Sequence, residues 1–143
     1  MTEPTRHDSD TDNQLKQKIE EGSMNPDDYT RLGGLSFLTG NLQEAVTLFR
    51  RAINLAQTSL QKARVCIEFG WVYYEIGQLE EAKALAQQAL GLLVAEADRP
   101  ELFACRGAIQ TLTAQLEGGK DAETGRSAAH VALKTLEKAL AVC

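Results

Sequence analysis

Along most of the chain, apolar and small residues return at intervals of three and four, the spacing that gathers them on one side of an α-helix. Ala45, Phe49 and Ala52 stand four and three apart, and so do Ala82, Ala86 and Ala89, and again Ala132, Leu136 and Ala139. Start and stop signals divide this pattern into helices. Asn25-Pro26-Asp27-Asp28 offers an N-cap, a proline where a missing amide costs nothing, and two carboxylates at the positive end of the helix dipole. A first helix is predicted from about Pro26 to Thr39. Gly40 ends it, and Asn41-x-x-Glu44 caps a second that reaches about Gln57. Thr58 and Ser59 open a third, over about Leu60 to Ile76, which Gly77 closes, and a fourth follows from Leu79 to about Val94. Asp98-Arg99-Pro100-Glu101 caps a fifth, to about Glu117, where Gly118-Gly119 breaks it. The last begins between Asp121 and Ser127 and runs to the C-terminus. Upstream, residues 1 to about 14 are polar and aperiodic, and Leu15 and Ile19 are the only apolar pair before residue 22. Residues 1–24 are therefore expected to be disordered or weakly helical.

The helices repeat. Gly33, Gly40, Leu42, Glu44, Ala45, Ala52 and Leu55 recur 37 residues later as Gly70, Gly77, Leu79, Glu81, Ala82, Ala89 and Leu92. Self-similarity at a fixed period of this size is the signature of stacked helical hairpins. Three units are expected, at about 26–59, 60–96 and 99–143, forming a single domain over residues 25–143.

The residues within each unit resemble the tetratricopeptide repeat. The first reads Tyr29-x2-Leu32-Gly33-x2-Ser36 with Ala45-x3-Phe49-x2-Ala52, and the second Cys66-x2-Phe69-Gly70-x2-Tyr73 with Ala82-x3-Ala86-x2-Ala89. A looser third unit reads Phe103-x2-Arg106-Gly107-x2-Gln110 with Ala132-x3-Leu136-x2-Ala139, and 13 more residues separate Gly107 from Ala132 than separate Gly33 from Ala45. Longer helices or an intervening loop would account for the difference. The resemblance implies an all-α, right-handed superhelical solenoid of antiparallel helix hairpins with about six to seven helices. Small residues serve where helices approach closely, and large ones fill the spaces between.

Composition and charge narrow the function. Net charge is −5 and the isoelectric point near 5.1, so no basic face neutralises phosphates, and neither nucleic acid nor membrane insertion is expected. No stretch of about 18 apolar residues occurs and no signal-like segment opens the chain, which favours a cytoplasmic protein. Cys66, Cys105 and Cys143 are odd in number and widely spaced, and the only histidines are His7 and His130, so neither a disulfide framework nor a metal site is signalled. Cys66 and Cys105 read as buried thiols.

Nothing assembles into a catalytic set. Gly118-Gly119-Lys120-Asp121 is similar to the end of a phosphate loop, yet Ala114 replaces its earlier glycine and Asp121 would repel phosphate. The acid pairs Glu20-Glu21 and Glu80-Glu81 point to different faces, and His130 has no ligand or acid at catalytic spacing. No enzyme and no cofactor are expected.

Binding is the remaining class. In the family it resembles, the first helix of each hairpin lines a concave groove, which implies Arg64, Ile67, Trp71, Tyr74 and Glu75 in the second unit and Phe37 in the first. Arg64, Ile67, Trp71 and Tyr74 are spaced three, four and three apart and so share one helical stripe. Glu101, Ala104, Ala108, Thr111 and Leu112 would correspond in the third unit. Aromatic anchors are the types that carry binding energy. A carboxylate clamp of the heat-shock co-chaperone kind is not supported, because its lysine and asparagine places hold Thr30, Gly34, Ile67 and Trp71. The last helix presents Val131, Ala132, Leu133, Leu136, Ala139, Leu140 and Val142 as a wide apolar face. Either a second copy covers it, with Leu133, Leu136 and Leu140 as self-association candidates and a homodimer as the result, or the third hairpin folds over it. A scaffold or adaptor that holds a peptide segment of a partner protein is the leading expectation. The alternatives are a small secretion-type chaperone for amphipathic client segments and a self-assembling structural module.

Overall fold

The computed structural model describes residues 13–14, 16–96, 101–118 and 122–141. The disorder expected before residue 13, the Asp98 cap and Val142 lie outside them. Six long helices carry the chain: α1 (Pro26–Leu38), α2 (Leu42–Leu55), α3 (Ser59–Glu75), α4 (Leu79–Glu96), α5 (Glu101–Gly118) and α6 (Ala122–Ala141). Residues 16–20 are also helical, and no strand occurs among the described residues. The all-α expectation holds, and each boundary falls close to its sequence signal. The helices gather in two compact units, one ending at Ala56 and the other beginning at Gln57.

In the first unit α1 and α2 pack as a hairpin. The Asn25 side chain accepts from the Asp27 amide at 3.0 Å, and that of Asn41 from the Glu44 amide at 3.3 Å, so both caps act as their sequences require. Buried Asp28 accepts a 2.7 Å hydrogen bond from Ser23 Oγ, while the Tyr29 hydroxyl donates to the Ser23 carbonyl at 2.8 Å, tying the entry of α1 to its first turn. The Phe49 ring of α2 comes within 3.1 Å of the point a Cβ on Gly33 would occupy. A side chain there would have to displace the ring.

The turns between paired helices share one chemistry. Gly40 and Gly77 have φ of +88° and +83°, a region that costs glycine nothing. With that reversal Asn41 N donates to the Ser36 carbonyl at 2.8 Å and Gly40 N to that of Phe37 at 3.0 Å; Gln78 N and Gly77 N bond Tyr73 and Tyr74 in the same way, at 2.9 and 3.1 Å. Two orphan carbonyls at each helix end are thereby satisfied.

In the second unit α3 pairs with α4 and α5 with α6, and α6 also packs against both α3 and α4. The long third hairpin arises from longer helices, α5 having 18 residues and α6 having 20. Its register differs from the sequence reading by one residue. Leu102, Cys105 and Ile109 are buried, whereas Phe103, Arg106, Gly107 and Gln110 are not, and nothing approaches the place of a Cβ on Gly107. The alignment on Gly107 is thus corrected: a glycine inside a helix marks a close approach only where another helix comes near, and here Gly125 is the buried one. Leu112, assigned from the sequence to the groove, is a core residue with no exposure.

Cys66 and Cys105 are both buried, and Cys105 Sγ donates to the Ala132 carbonyl at 3.5 Å. Burial pushes the Cys66 thiol up to about 11, Lys62 opposing slightly, and that of Cys105 up to about 12. At pH 8 the Cys66 thiolate is then about one part in a thousand. Two thiols are expected to resist a disulfide reagent at pH 8 in the native chain and to react within seconds in denaturant, as counted by absorbance; rapid native reaction would contradict this packing. Gly40→Ala and Gly77→Ala are each expected to lower stability by about 1 kcal/mol in urea titrations, with the asparagine variants losing less.

Candidate peptide-binding surface

Helix α3 is capped on both sides of its first turn: Thr58 Oγ1 accepts from Gln61 N at 3.1 Å, and Gln61 Oε1 accepts from Thr58 N at 3.3 Å. From this start the 3.6-residue period turns Ala63, Cys66, Phe69 and Gly70 inward, and brings Arg64, Ile67, Trp71 and Tyr74 onto the neighbouring stripe. The sequence reading placed the open floor of a groove on that stripe. Helix α6 lies across much of it instead, so an open floor at Ile67 is corrected: its exposure is 1%.

Three sets of interactions hold the stripe and α6 together. Trp71 Nε1 donates to Glu137 Oε2 at 2.6 Å, a bond between residues 66 apart in sequence. The His130 ring meets Trp71 edge-on with centroids 5.4 Å apart and Tyr74 at 5.8 Å, and Trp71 and Tyr74 meet each other at 5.4 Å and 88°. Arg126 places its guanidinium carbon 4.3 Å from the Tyr74 centroid and donates from Nη1 to the Tyr74 carbonyl at 3.2 Å. That carbonyl already accepts from Gly77 N, so Arg126 adds a charged donor to the α3 C-terminus, where positive charge is favoured.

Trp71 and Tyr74 remain half-buried, while Arg64 and Glu75 are more open. Phe37 belongs to the first unit, half-buried on α1. Of the self-association candidates, Leu133 and Leu136 have no exposure at all and Leu140 is half-buried. The expectation of an uncovered face on α6 is corrected for the first two, since the chain's own helices bury them, and Val131, placed on the same face, is exposed.

Between the two helices an open cleft of about 260 Å³ is lined by Arg64, Ile67 and Glu68 from α3 and by Glu137, Leu140 and Ala141 from α6. Glu68 and Glu137 were not singled out by sequence reasoning; the signal available was only that Glu68 lies one turn from Arg64. Glu68 keeps contact with solvent, yet its pKa is raised above the ordinary carboxylate value, by desolvation first and the Glu137 carboxylate second, with Arg64 acting the other way. Lys134 approaches Glu137 Oε1 only at 3.9 Å and is mostly exposed, a weak pair. A second depression of about 370 Å³, between α4 and α5, is lined by Gln87, Leu90, Gly91, Val94, Arg106, Ile109 and Gln110, and Arg106 is the one charged group among the described residues that line it. Among the described residues no group of three or more His, Cys, Asp or Glu is placed to hold a metal ion, and no helix is long and apolar enough to cross a membrane.

A carboxylate whose pKa is raised on folding opposes the folded state when ionised, and the cost disappears once it is protonated in both states. Glu68→Gln is therefore expected to melt at or above the wild-type temperature at pH 7. That advantage should fade as pH falls from the raised native value through the ordinary 4.5, as followed by circular dichroism. A Glu68→Gln chain that is less stable at pH 7 would mean that Arg64 outweighs desolvation and Glu137.

No curated protein and no solved structure matches the chain significantly. The family model of the tetratricopeptide repeat matches residues 29–93, which take in most of α1, all of α2 and α3 and most of α4, and repeats of this kind generally mediate protein–protein interaction. With paired helices closed by Gly40 and Gly77, and small residues buried at Gly33, Ala45, Ala52, Gly70, Ala82, Ala86 and Ala89, residues 29–93 are built as tetratricopeptide repeats.

Proposed function

We propose that the chain is a non-catalytic interaction module, an adaptor or scaffold in kind, which holds a segment of a partner protein in the cleft between α3 and α6. The observation that carries this reading is the cleft's position. Its lining includes Glu137, which holds the half-buried Trp71 by a hydrogen bond; it has Leu140 as an accessible apolar wall over the sealed Ile67, and keeps Arg64, Glu68 and Glu137 at its edges. An apolar depression rimmed by a few polar groups suits a peptide side chain, with the aromatic residue beside it as an anchor. Self-association through Leu133, Leu136 and Leu140 is less well supported, because the first two have no surface to offer.

Peptides selected from a random display library on the wild-type chain are expected to bind with micromolar affinity and to change the emission of Trp71, the only tryptophan. Leu140→Asp, at the half-exposed wall, should weaken them about tenfold by removing apolar contact and adding a charge. Selected peptides that bind the Leu140→Asp variant equally well and leave Trp71 emission unchanged would rule out the cleft.

A further inference from the structure

The charges around the cleft are unevenly matched. From α3 come Arg64 and Glu68, and from α6 Glu137 and, farther out, Lys134. Glu137 spends Oε2 on the Trp71 indole, and among the described residues its other oxygen has only the distant Lys134 ammonium. Glu68 carries a raised pKa, and the neighbouring Glu137 contributes more to it than Arg64 takes away. Two carboxylates therefore share a partly desolvated edge without enough positive charge between them. Next to that edge lie Leu140 and Ala141, an apolar wall that offers no hydrogen bond from its side chains.

We infer that the partner segment this cleft accepts is basic and amphipathic, with a lysine or arginine placed between Glu68 and Glu137 and an adjacent apolar side chain against Leu140. The inference rests on the reading of the cleft as a binding site and adds the chemistry of its occupant. A cationic side chain removes the repulsion between the two carboxylates, and its aliphatic stem covers the wall on which they stand. An acidic segment would meet two like charges and only Arg64 to receive it. A purely apolar one would strip water from both carboxylates and replace it with nothing. Net charge points the same way, since a chain at −5 draws cationic partners to itself from a distance.

The test uses two short labelled peptides with leucine at i, i+3, i+4 and i+7, one with lysine and the other with glutamate at the remaining positions. Fluorescence anisotropy gives affinity, and Trp71 emission reports whether the cleft is where binding occurs. On the wild-type chain the lysine peptide is expected to bind at least about tenfold tighter than the glutamate peptide and to shift Trp71 emission. Glu68→Lys should reverse that preference, while Glu80→Gln with Glu81→Gln, which removes two charges from the start of α4, should leave it in place. Equal binding of both peptides with a Trp71 response would overturn the charge inference and leave the cleft standing. Binding of the lysine peptide that is indifferent to Glu68→Lys and to Leu140→Asp would place it elsewhere on the acidic surface and overturn both. Failure of the lysine peptide to bind would overturn this inference alone, the cleft then being judged by the library selection. A concentration-dependent dimer of the chain by sedimentation, with Trp71 emission changing in step, would put a second copy in the cleft and overturn it as well.

Discussion

Gly70 is the point on which the second unit turns. A Leu133 methyl of α6 lies 2.9 Å from where a Cβ on Gly70 would be, closer than a real Cβ tolerates, so α6 reaches α3 there only because the side chain is a hydrogen. That approach fixes the axial position of α6. Arg126, His130, Glu137 and Leu140 follow on the same side of the helix, spaced four, seven and three apart: Arg126 meets Tyr74, His130 meets Tyr74 and Trp71, Glu137 meets Trp71, and Leu140 lines the cleft with Ile67 and Arg64. The cation over Tyr74, the histidine against both aromatic rings, the carboxylate on the indole and the open cleft lie along the same junction.

What the aromatic pair contributes depends on its partners. An indole N–H bonded to an ionised carboxylate is a charge-assisted bond, worth more than a neutral one because neither group is wholly in water. The same carboxylate raises the free energy of Glu68 nearby. Glu137 thus stabilises the junction on its Trp71 side and burdens it on the cleft side. A group that does both is poised to interact with a third charge, and nothing lining the cleft from α3 supplies one beyond Arg64.

Most of the fold could be read from spacing, and the reasons are local. Gly40 and Gly77, the caps at Asn25, Asn41 and Thr58, and the alanines at four-and-three spacing each act within one turn or between sequential helices, so their residue types report their surroundings directly. The third hairpin was harder because Gly107 imitates Gly33 and Gly70 without a helix opposite it, and the true register lies one residue earlier. The candidate site was legible in part. Helical periodicity identified Arg64, Ile67, Trp71 and Tyr74 as one stripe, but periodicity says which residues share a side and not what lies over them. That α6 covers this stripe depends on contacts between residues more than fifty positions apart, and no repeat pattern encodes them.

A last helix that settles on the hairpin before it changes what the surface can select. An open stripe of Ile67, Trp71 and Tyr74 would have offered a broad apolar floor and discriminated partners chiefly by shape, since apolar contact is not directional. With α6 in place Ile67 is sealed, the aromatic rings are turned toward His130 and Arg126, and the accessible remainder is narrow and edged by ionised groups. Selection then passes from apolar area to charge, because a partly desolvated carboxylate penalises a wrong partner more than a methyl group rewards a right one. The helix that buries the apolar face thereby also determines that what remains open favours a cation.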